Sequence, residues 1–123
     1  MKRNFNPEIF LEIAKKIKDC TTFNEDGILR TSVGRAYYAA FLTIRSRLEL
    51  KGFSYNSVGQ HSDVRDNLKD LGYDTLANFL EELFNKRVVA DYNLKKSIDH
   101  KLCEYCILLS EEIINYAEDI SVV

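Results

Sequence analysis

Apolar residues recur at every third or fourth position through most of the chain, which is the period of an α-helix with one buried face. The clearest stripe consists of Leu102, Cys106, Leu109, Ile113, Tyr116 and Ile120. A second stripe consists of Leu29, Val33, Ala36, Tyr37, Ala40, Ile44 and Leu48. With one proline, five glycines and no repeat, the chain lacks the turn signals of a many-stranded β fold. The pattern therefore predicts an all-α protein.

The breaks between the stripes divide the chain into five predicted helices. Their expected ranges are about 6–20, 26–52, 61 or 62 to 71, 74–92 and 97–120. Asn6, followed by proline at the first helical position, and Asp74 are the predicted caps of the first and fourth helices. Gly72 lies where a left-handed residue would end the third helix. We expect a single domain over residues 1–123, built as an up-and-down bundle of four long helices and one short helix.

The charge and cysteine content limit the partners and the cellular compartment that we expect for the protein. The net charge is −2, so the whole molecule does not attract duplex DNA, and any contact with nucleic acid must rest on a local patch. No stretch has the pattern of a secretory leader, and no segment approaches the roughly 20 apolar residues of a membrane span. The three cysteines are an odd number. We expect a reduced, soluble, cytoplasmic protein that does not contact a membrane.

A spacing of three relates His100, Cys103 and Cys106 on the predicted fifth helix, and these are residue types that bind zinc. Three such positions on one helix are spread over a wide arc and do not converge on one ion. Cys106 also belongs to the core stripe, and only Cys20 could complete a set of four ligands. We therefore expect buried thiols at these positions and neither a metal nor another cofactor.

The second helix has an unusual outer face. At 100° per residue, Arg35, Tyr38 and Thr31 lie opposite the core stripe, yet this face lacks the lysine and glutamate of a solvated helix. Small side chains fill its flank at Ser32, Ala39 and Thr43. Two coverings remain open, a further helix of the same bundle or the second protomer of a symmetric dimer.

Two charged residues continue the buried stripe of the fourth helix. Arg87 follows Leu83 by four positions and Leu80 by seven, and Asp91 follows Arg87 by four, within reach of an ion pair. An uncompensated charge at such a place costs several kcal/mol, so the arginine needs either a partner or an open site. Two interpretations follow: an internal ion pair that ties helices together, or a guanidinium at the rim of a cleft that binds a phosphate.

Several short motifs occur in a fixed order in the middle of the chain. They are Ser32 with Arg35-Ala-Tyr-Tyr-Ala-Ala-Phe41, then Gly52, then His61-Ser62, and then Arg87-Val-Val-Ala-Asp-Tyr92. In this order and separation they resemble the HEPN superfamily of small helical domains, in particular the branch catalogued as UPF0332. The resemblance covers roughly residues 25–95 and continues into the last helix by pattern only. It implies a bundle of four or five helices that dimerises, with polar motifs of both protomers in a cleft at the dimer axis.

The resemblance also implies a function. Many HEPN proteins are metal-independent ribonucleases of toxin–antitoxin, phage-defence or CRISPR systems, and minimal members are commonly encoded beside an MNT-type nucleotidyltransferase antitoxin. By resemblance the chain is an RNA- or nucleotide-directed component of such a system. The alternative is a non-catalytic dimeric module that partners a nucleotidyltransferase. The family's ribonuclease motif is an arginine, four to six residues and a histidine. Arg87 matches the arginine, but Tyr92, Asn93 and Leu94 occupy the permitted histidine positions.

The candidate catalytic residues are Arg87, Asp91 and Tyr92, and the candidate substrate-binding residues are Arg35, Tyr38 and His61. Cleavage of RNA by its 2′-hydroxyl needs a base and an acid with pKa values near 7, so a tyrosine, whose ordinary pKa is about 10, suits hydrogen bonding or stacking better. Asp91 is a candidate base, although pairing with Arg87 would weaken it. His61 is expected to bond to the start of the third helix; its alternative is to reach the cleft. Whether RNA is cleaved stays open.

Overall fold

The structure, a computed structural model, describes residues 5–22, 24–55 and 60–122. Within these ranges the chain forms five α-helices and no strand. They are α1 (Glu8–Ile17), α2 (Glu25–Leu50), α3 (Gln60–Asp70), α4 (Asp74–Tyr92) and α5 (His100–Ala117). The predicted all-α bundle is confirmed. Helix α1 is shorter than expected, however, and with 10 residues it is no longer than α3 with 11.

Helix α2 is the centre of the bundle, because each of the other four helices packs against it. It has 26 residues and is therefore about 39 Å long. Hydroxyl groups fix two of its neighbours: Ser32 Oγ donates to the carbonyl of Ala14 on α1, and Ser110 Oγ on α5 donates to the carbonyl of Ala36, both at 2.7 Å. Helix α1 thus covers α2 around Ser32, whereas Thr31 on the same outer face stays exposed.

Only some of the apolar residues of α1 face the core. Leu11 and Ala14 are its buried residues, whereas Ile9 and Ile13 are 44% and 36% exposed. Small Ala14 lets α1 approach α2 closely enough for the serine bond described above. The exposed isoleucines leave an apolar strip on the surface of the described chain.

The helix ends follow local signals in most places. Asn24 and Asp99 cap α2 and α5, because the side-chain oxygen of each accepts a backbone N–H three residues further on, at 3.1 and 2.8 Å. Gly72 follows α3 with φ of 88°, which confirms its predicted left-handed conformation. The predicted Asp74 cap was wrong. Tyr73 occupies the N-cap position of α4 without a side-chain bond, and Asp74 is the first helical residue.

No helix in the described ranges is both long enough and apolar enough to cross a lipid bilayer.

Candidate functional site

Tyr38 lies at the centre of the residues that the sequence singled out. Two guanidinium groups lie near its ring, with Arg35 Cζ 5.8 Å and Arg87 Cζ 5.2 Å from the ring centre. Arg87 Nη2 also donates a hydrogen bond to the Tyr38 hydroxyl at 3.1 Å. Arg35 lies 5.3 Å from the ring centre of Phe10 on α1. Attraction between cations and ring faces therefore holds two positive groups beside one tyrosine.

The helix packing explains why these side chains meet. Arg35 and Tyr38 are three residues apart on α2 and so lie on neighbouring parts of one face. Helix α4 runs against α2 near Gly34, where an added Cβ would lie 3.9 Å from Asp91 Oδ1. The last turns of α4 consequently place Arg87 and Asp91 beside the Tyr38 face. These four predicted residues form one cluster, which we call the Tyr38 site (Arg35, Tyr38, Arg87 and Asp91).

The ion pair between Arg87 and Asp91 spans one turn of α4, with Nε and Oδ2 3.0 Å apart. The Nε–H does not point at the carboxylate, and Nε is buried without a hydrogen-bond partner among the described residues. The two side chains are 19% and 34% exposed, so solvent reaches both of them. The pair lies within one helix, so it does not tie helices together; the bond from Arg87 to Tyr38 joins α4 to α2.

His61 lies next to Tyr37, the neighbour of Tyr38 in the chain, and its side chain bonds to two other helices. Its Nδ1 is 2.8 Å from the Tyr37 hydroxyl of α2, and its Nε2 is 2.8 Å from Glu81 Oε2 of α4. An ionised carboxylate only accepts hydrogen bonds, so we assign the proton to Nε2, and Nδ1 then accepts from Tyr37. The imidazole also stacks on Phe84, with ring centres 3.8 Å apart. The predicted role at the helix start was wrong, because these contacts engage both ring nitrogens.

Burial controls the protonation of this network. It lowers the pKa of His61, outweighing the opposite effect of the Glu81 carboxylate, so the imidazole is neutral at pH 7. The hydrogen bond from His61, followed by that from Arg65, lowers the pKa of Glu81. Burial also raises the pKa of Tyr37, which is only 2% exposed. The Tyr37 hydroxyl therefore stays protonated. The Tyr37 ring also packs against Arg87, with its centre 5.5 Å from Cζ.

Tyr92 is separate from the other predicted site residues. It ends α4 and is 69% exposed. Within the described ranges it makes no hydrogen bond or ring contact with them. Its hydroxyl and ring face the solvent, five residues beyond Arg87.

Sequence reasoning missed Arg30, which fixes the end of α4. Its Nη1 donates to the carbonyls of Ala90 at 2.9 Å and Asn93 at 3.1 Å, and its Nη2 donates to the carbonyl of Lys96. Its Nε donates to Asp26 Oδ2 at 2.8 Å. The sequence signals only the pair with Asp26, four residues away, because the carbonyls lie at least 60 positions further along the chain. Phe10 and Glu81 were missed for the same reason.

The histidine and cysteines of α5 do not assemble into a metal site. His100 Nε2 lies 3.0 Å from Glu25 Oε1 at the surface, whereas Cys103 and Cys106 are buried. Burial raises the pKa of Cys106 to about 12, so its thiol stays protonated. Among the residues that the structure describes, no group of three His, Cys, Asp or Glu side chains is placed to hold a metal ion.

A comparison with protein-family models finds the HEPN domain over residues 8–120. A search of curated proteins and a search of solved structures each find no match. The matched range includes all five helices. It therefore extends the resemblance to α1 and α5, which lie outside the residues that carry the sequence motifs.

Proposed function

Because the chain belongs to the HEPN domain family, we propose that it binds RNA, as a cytoplasmic component of a toxin–antitoxin or defence system. The Tyr38 site is the proposed binding site. The observation that carries this proposal is the pair of guanidinium groups beside the Tyr38 ring. Arg35 makes no hydrogen bond or ion pair within the described ranges, so its five N–H donors are left for a ligand.

The chemistry of the site suits a phosphodiester. A guanidinium binds phosphate through two parallel N–H bonds, and two such groups lie within 6 Å of the Tyr38 ring centre. The site is local, which fits a chain whose net charge is −2.

The proposal is for binding of RNA and does not include its cleavage. Cleavage needs a base that reaches the 2′-hydroxyl, and His61 has both ring nitrogens bonded to other side chains. The Asp91 carboxylate is engaged in its ion pair with Arg87, with Oδ2 3.0 Å from Nε. The arrangement therefore supports recognition of a phosphate more directly than proton transfer.

Arg35→Gln tests the proposal. We expect it to weaken binding of a single-stranded RNA dodecamer by about tenfold, because one charge-assisted contact to phosphate is lost. The thermal unfolding temperature should stay close to that of the wild type, since Arg35 has no polar partner in the described chain. Fluorescence anisotropy in EDTA measures the affinity, and Lys101→Gln, which removes an equal charge from an exposed position of α5, is the control.

Three results would contradict the proposal. Absence of binding by the wild type would do so directly. Equal losses in Arg35→Gln and Lys101→Gln would mean that total charge, not the Tyr38 site, attracts RNA. Cutting of the end-labelled dodecamer by the wild type but not by Arg87→Gln would replace binding with a metal-independent ribonuclease activity.

A second candidate function is that of a non-catalytic interaction module for an MNT-type nucleotidyltransferase. The end of α4 favours it, since Tyr92 and Leu94 are both exposed there. An exposed tyrosine hydroxyl and an exposed leucine would offer a partner enzyme a contact. Wild-type protein that binds no RNA but forms a stable complex with such an enzyme would support this function over the first.

We propose homodimerisation for either function, through the apolar strip of α1. Ile9 and Ile13 are 44% and 36% exposed and lie four residues apart on this helix. A groove of about 500 Å³ continues this surface between the end of α1 and the start of α2, and its walls include Ile17 and exposed Thr31. Apolar area of this kind is typical of surfaces that are covered in an assembly.

Ile13→Glu tests the dimer. We expect the wild type to have the mass of two chains and the variant the mass of one, because a charge buried without a partner opposes association. Light scattering coupled to gel filtration measures the mass. Glu12→Gln, a neighbouring exposed position, serves as the control. A monomeric wild type would contradict this part of the proposal.

A further inference from the structure

The surface around Tyr38 continues along α2 to a third arginine. Tyr38 and Arg45 are seven residues apart, so they lie on the same face of the helix about 10 Å from one another. Arg45 Cζ lies 6.0 Å from the ring centre of Phe41, and Phe41 stacks on Tyr37 with ring centres 5.6 Å apart. Arg87 lies over Tyr37 at 5.5 Å. One layer of aromatic rings therefore supports the guanidinium groups of Arg45 and Arg87.

The charge of Arg45 is only weakly compensated. Its Nη1 donates to Gln60 Oε1 at 2.9 Å, and this amide is neutral. The nearest carboxylate is that of exposed Glu49, whose Oε1 is 3.7 Å from Arg45 Nε. This Nε is buried and has no hydrogen-bond partner among the described residues. An ion pair of this length with an exposed carboxylate contributes little, so Arg45 can still attract an anion.

A surface cavity of about 320 Å³ adjoins Arg45. Its walls are formed by Phe5, Pro7, Leu42, Arg45, Ser46 and Glu49. The Phe5 ring lies 5.0 Å from Phe10, the ring that supports Arg35. A depression with aromatic and aliphatic walls and an arginine at its edge suits a nucleobase whose phosphate lies outside.

We infer that Arg45 and the adjoining cavity form a second nucleotide subsite, so that the protein binds a segment of single-stranded RNA spanning at least two phosphates. One phosphate lies between Arg35 and Arg87, and another lies at Arg45 with its base against Leu42. A single phosphate does not bridge the distance of about 10 Å along α2, whereas a strand does. The inference rests on the proposed function, because it extends the same ligand beyond the Tyr38 site.

Arg45→Gln is the first variant in the test, and its ligands are the RNA dodecamer and adenosine monophosphate. We expect it to weaken dodecamer binding by about tenfold and to reduce the slope of log affinity against log salt by about 0.7. Binding of adenosine monophosphate, which needs only the Tyr38 site, should not change. Ser46→Glu is the second variant, because Ser46 is exposed and the change adds a repelling charge without removing an internal bond. Lys101→Gln is the control.

The outcomes separate this inference from the proposed function. If Arg45→Gln and Ser46→Glu bind the dodecamer as the wild type does while Arg35→Gln binds weakly, the subsite is wrong and the Tyr38 site stands. If the wild type binds no RNA, both fall. If Lys101→Gln loses as much affinity as Arg45→Gln, the second subsite is overturned in favour of bulk attraction. A DNA strand of the same sequence shows which polynucleotide is preferred, and a selective loss on Arg45→Gln with either strand supports the subsite.

Discussion

Arg30→Ala is expected to lower the free energy of unfolding by about 3 kcal/mol, because a single side chain donates to three backbone carbonyls. Hydrogen bonds from a charged donor contribute about 1.5–3 kcal/mol each, and the total is smaller here since Asn93 and Lys96 are exposed. A loss of this size is a large share of the 5–15 kcal/mol that stabilises a typical domain. Urea unfolding followed by circular dichroism measures it.

Two further variants identify which contacts of Arg30 matter. Asp26→Asn removes the exposed ion pair but keeps the carbonyl bonds, so its unfolding midpoint should stay near that of the wild type. Arg30→Lys keeps the charge but loses the planar fork, and we expect it to behave like Arg30→Ala. If Asp26→Asn were as unstable as Arg30→Ala, the ion pair and not the carbonyl bonds would hold this region.

The fold was predictable because helical period carries most of the information. Ile44, Leu80 and Ile113 were each assigned to a buried stripe, and each is fully buried. Period alone did not show which side of α1 is buried. Ile9 and Ile13 have helical spacing, and so do Leu11 and Ala14, so either pair could face the core. Which pair is buried depends on how closely α2 can approach. Small Ala14 decides it, since it allows the bond from Ser32.

Helical period singled out the residues of the Tyr38 site as two separate pairs, and the resemblance placed both pairs in one cleft. The motifs named Arg35, Tyr38, Arg87 and Asp91, and the structure brings these four together. The surroundings of the site depend on contacts between distant parts of the chain. His61 bonds to residues 24 and 20 positions away, and no local pattern encodes such partners. Tyr92 was included because it follows Arg87 at the motif spacing, yet five residues turn a helix by about 140° from its starting direction.

Arg87→Gln is expected to weaken binding of the RNA dodecamer by about 100-fold, more than any other single change at the Tyr38 site. Loss of a bidentate guanidinium contact accounts for about 2–3 kcal/mol of binding energy. The remaining glutamine cannot neutralise Asp91, whose carboxylate would then repel the phosphate. Stability should fall by about 2 kcal/mol, because the hydrogen bond to the Tyr38 hydroxyl is lost, whereas the ion pair is partly exposed and poorly directed.

Asp91→Asn separates the two parts of this effect. Alone, it should strengthen RNA binding, since it releases Arg87 from its carboxylate partner. Combined with Arg87→Gln, it should restore part of the lost affinity, because the double variant no longer places an unpaired negative charge beside the phosphate. Anisotropy measures the four affinities, and urea unfolding of the same samples measures stability. The contrary result is that both single variants have free energies of unfolding several kcal/mol below that of the wild type and, while folded, bind RNA as the wild type does. That result would make the pair structural and would favour the function as a module for a nucleotidyltransferase.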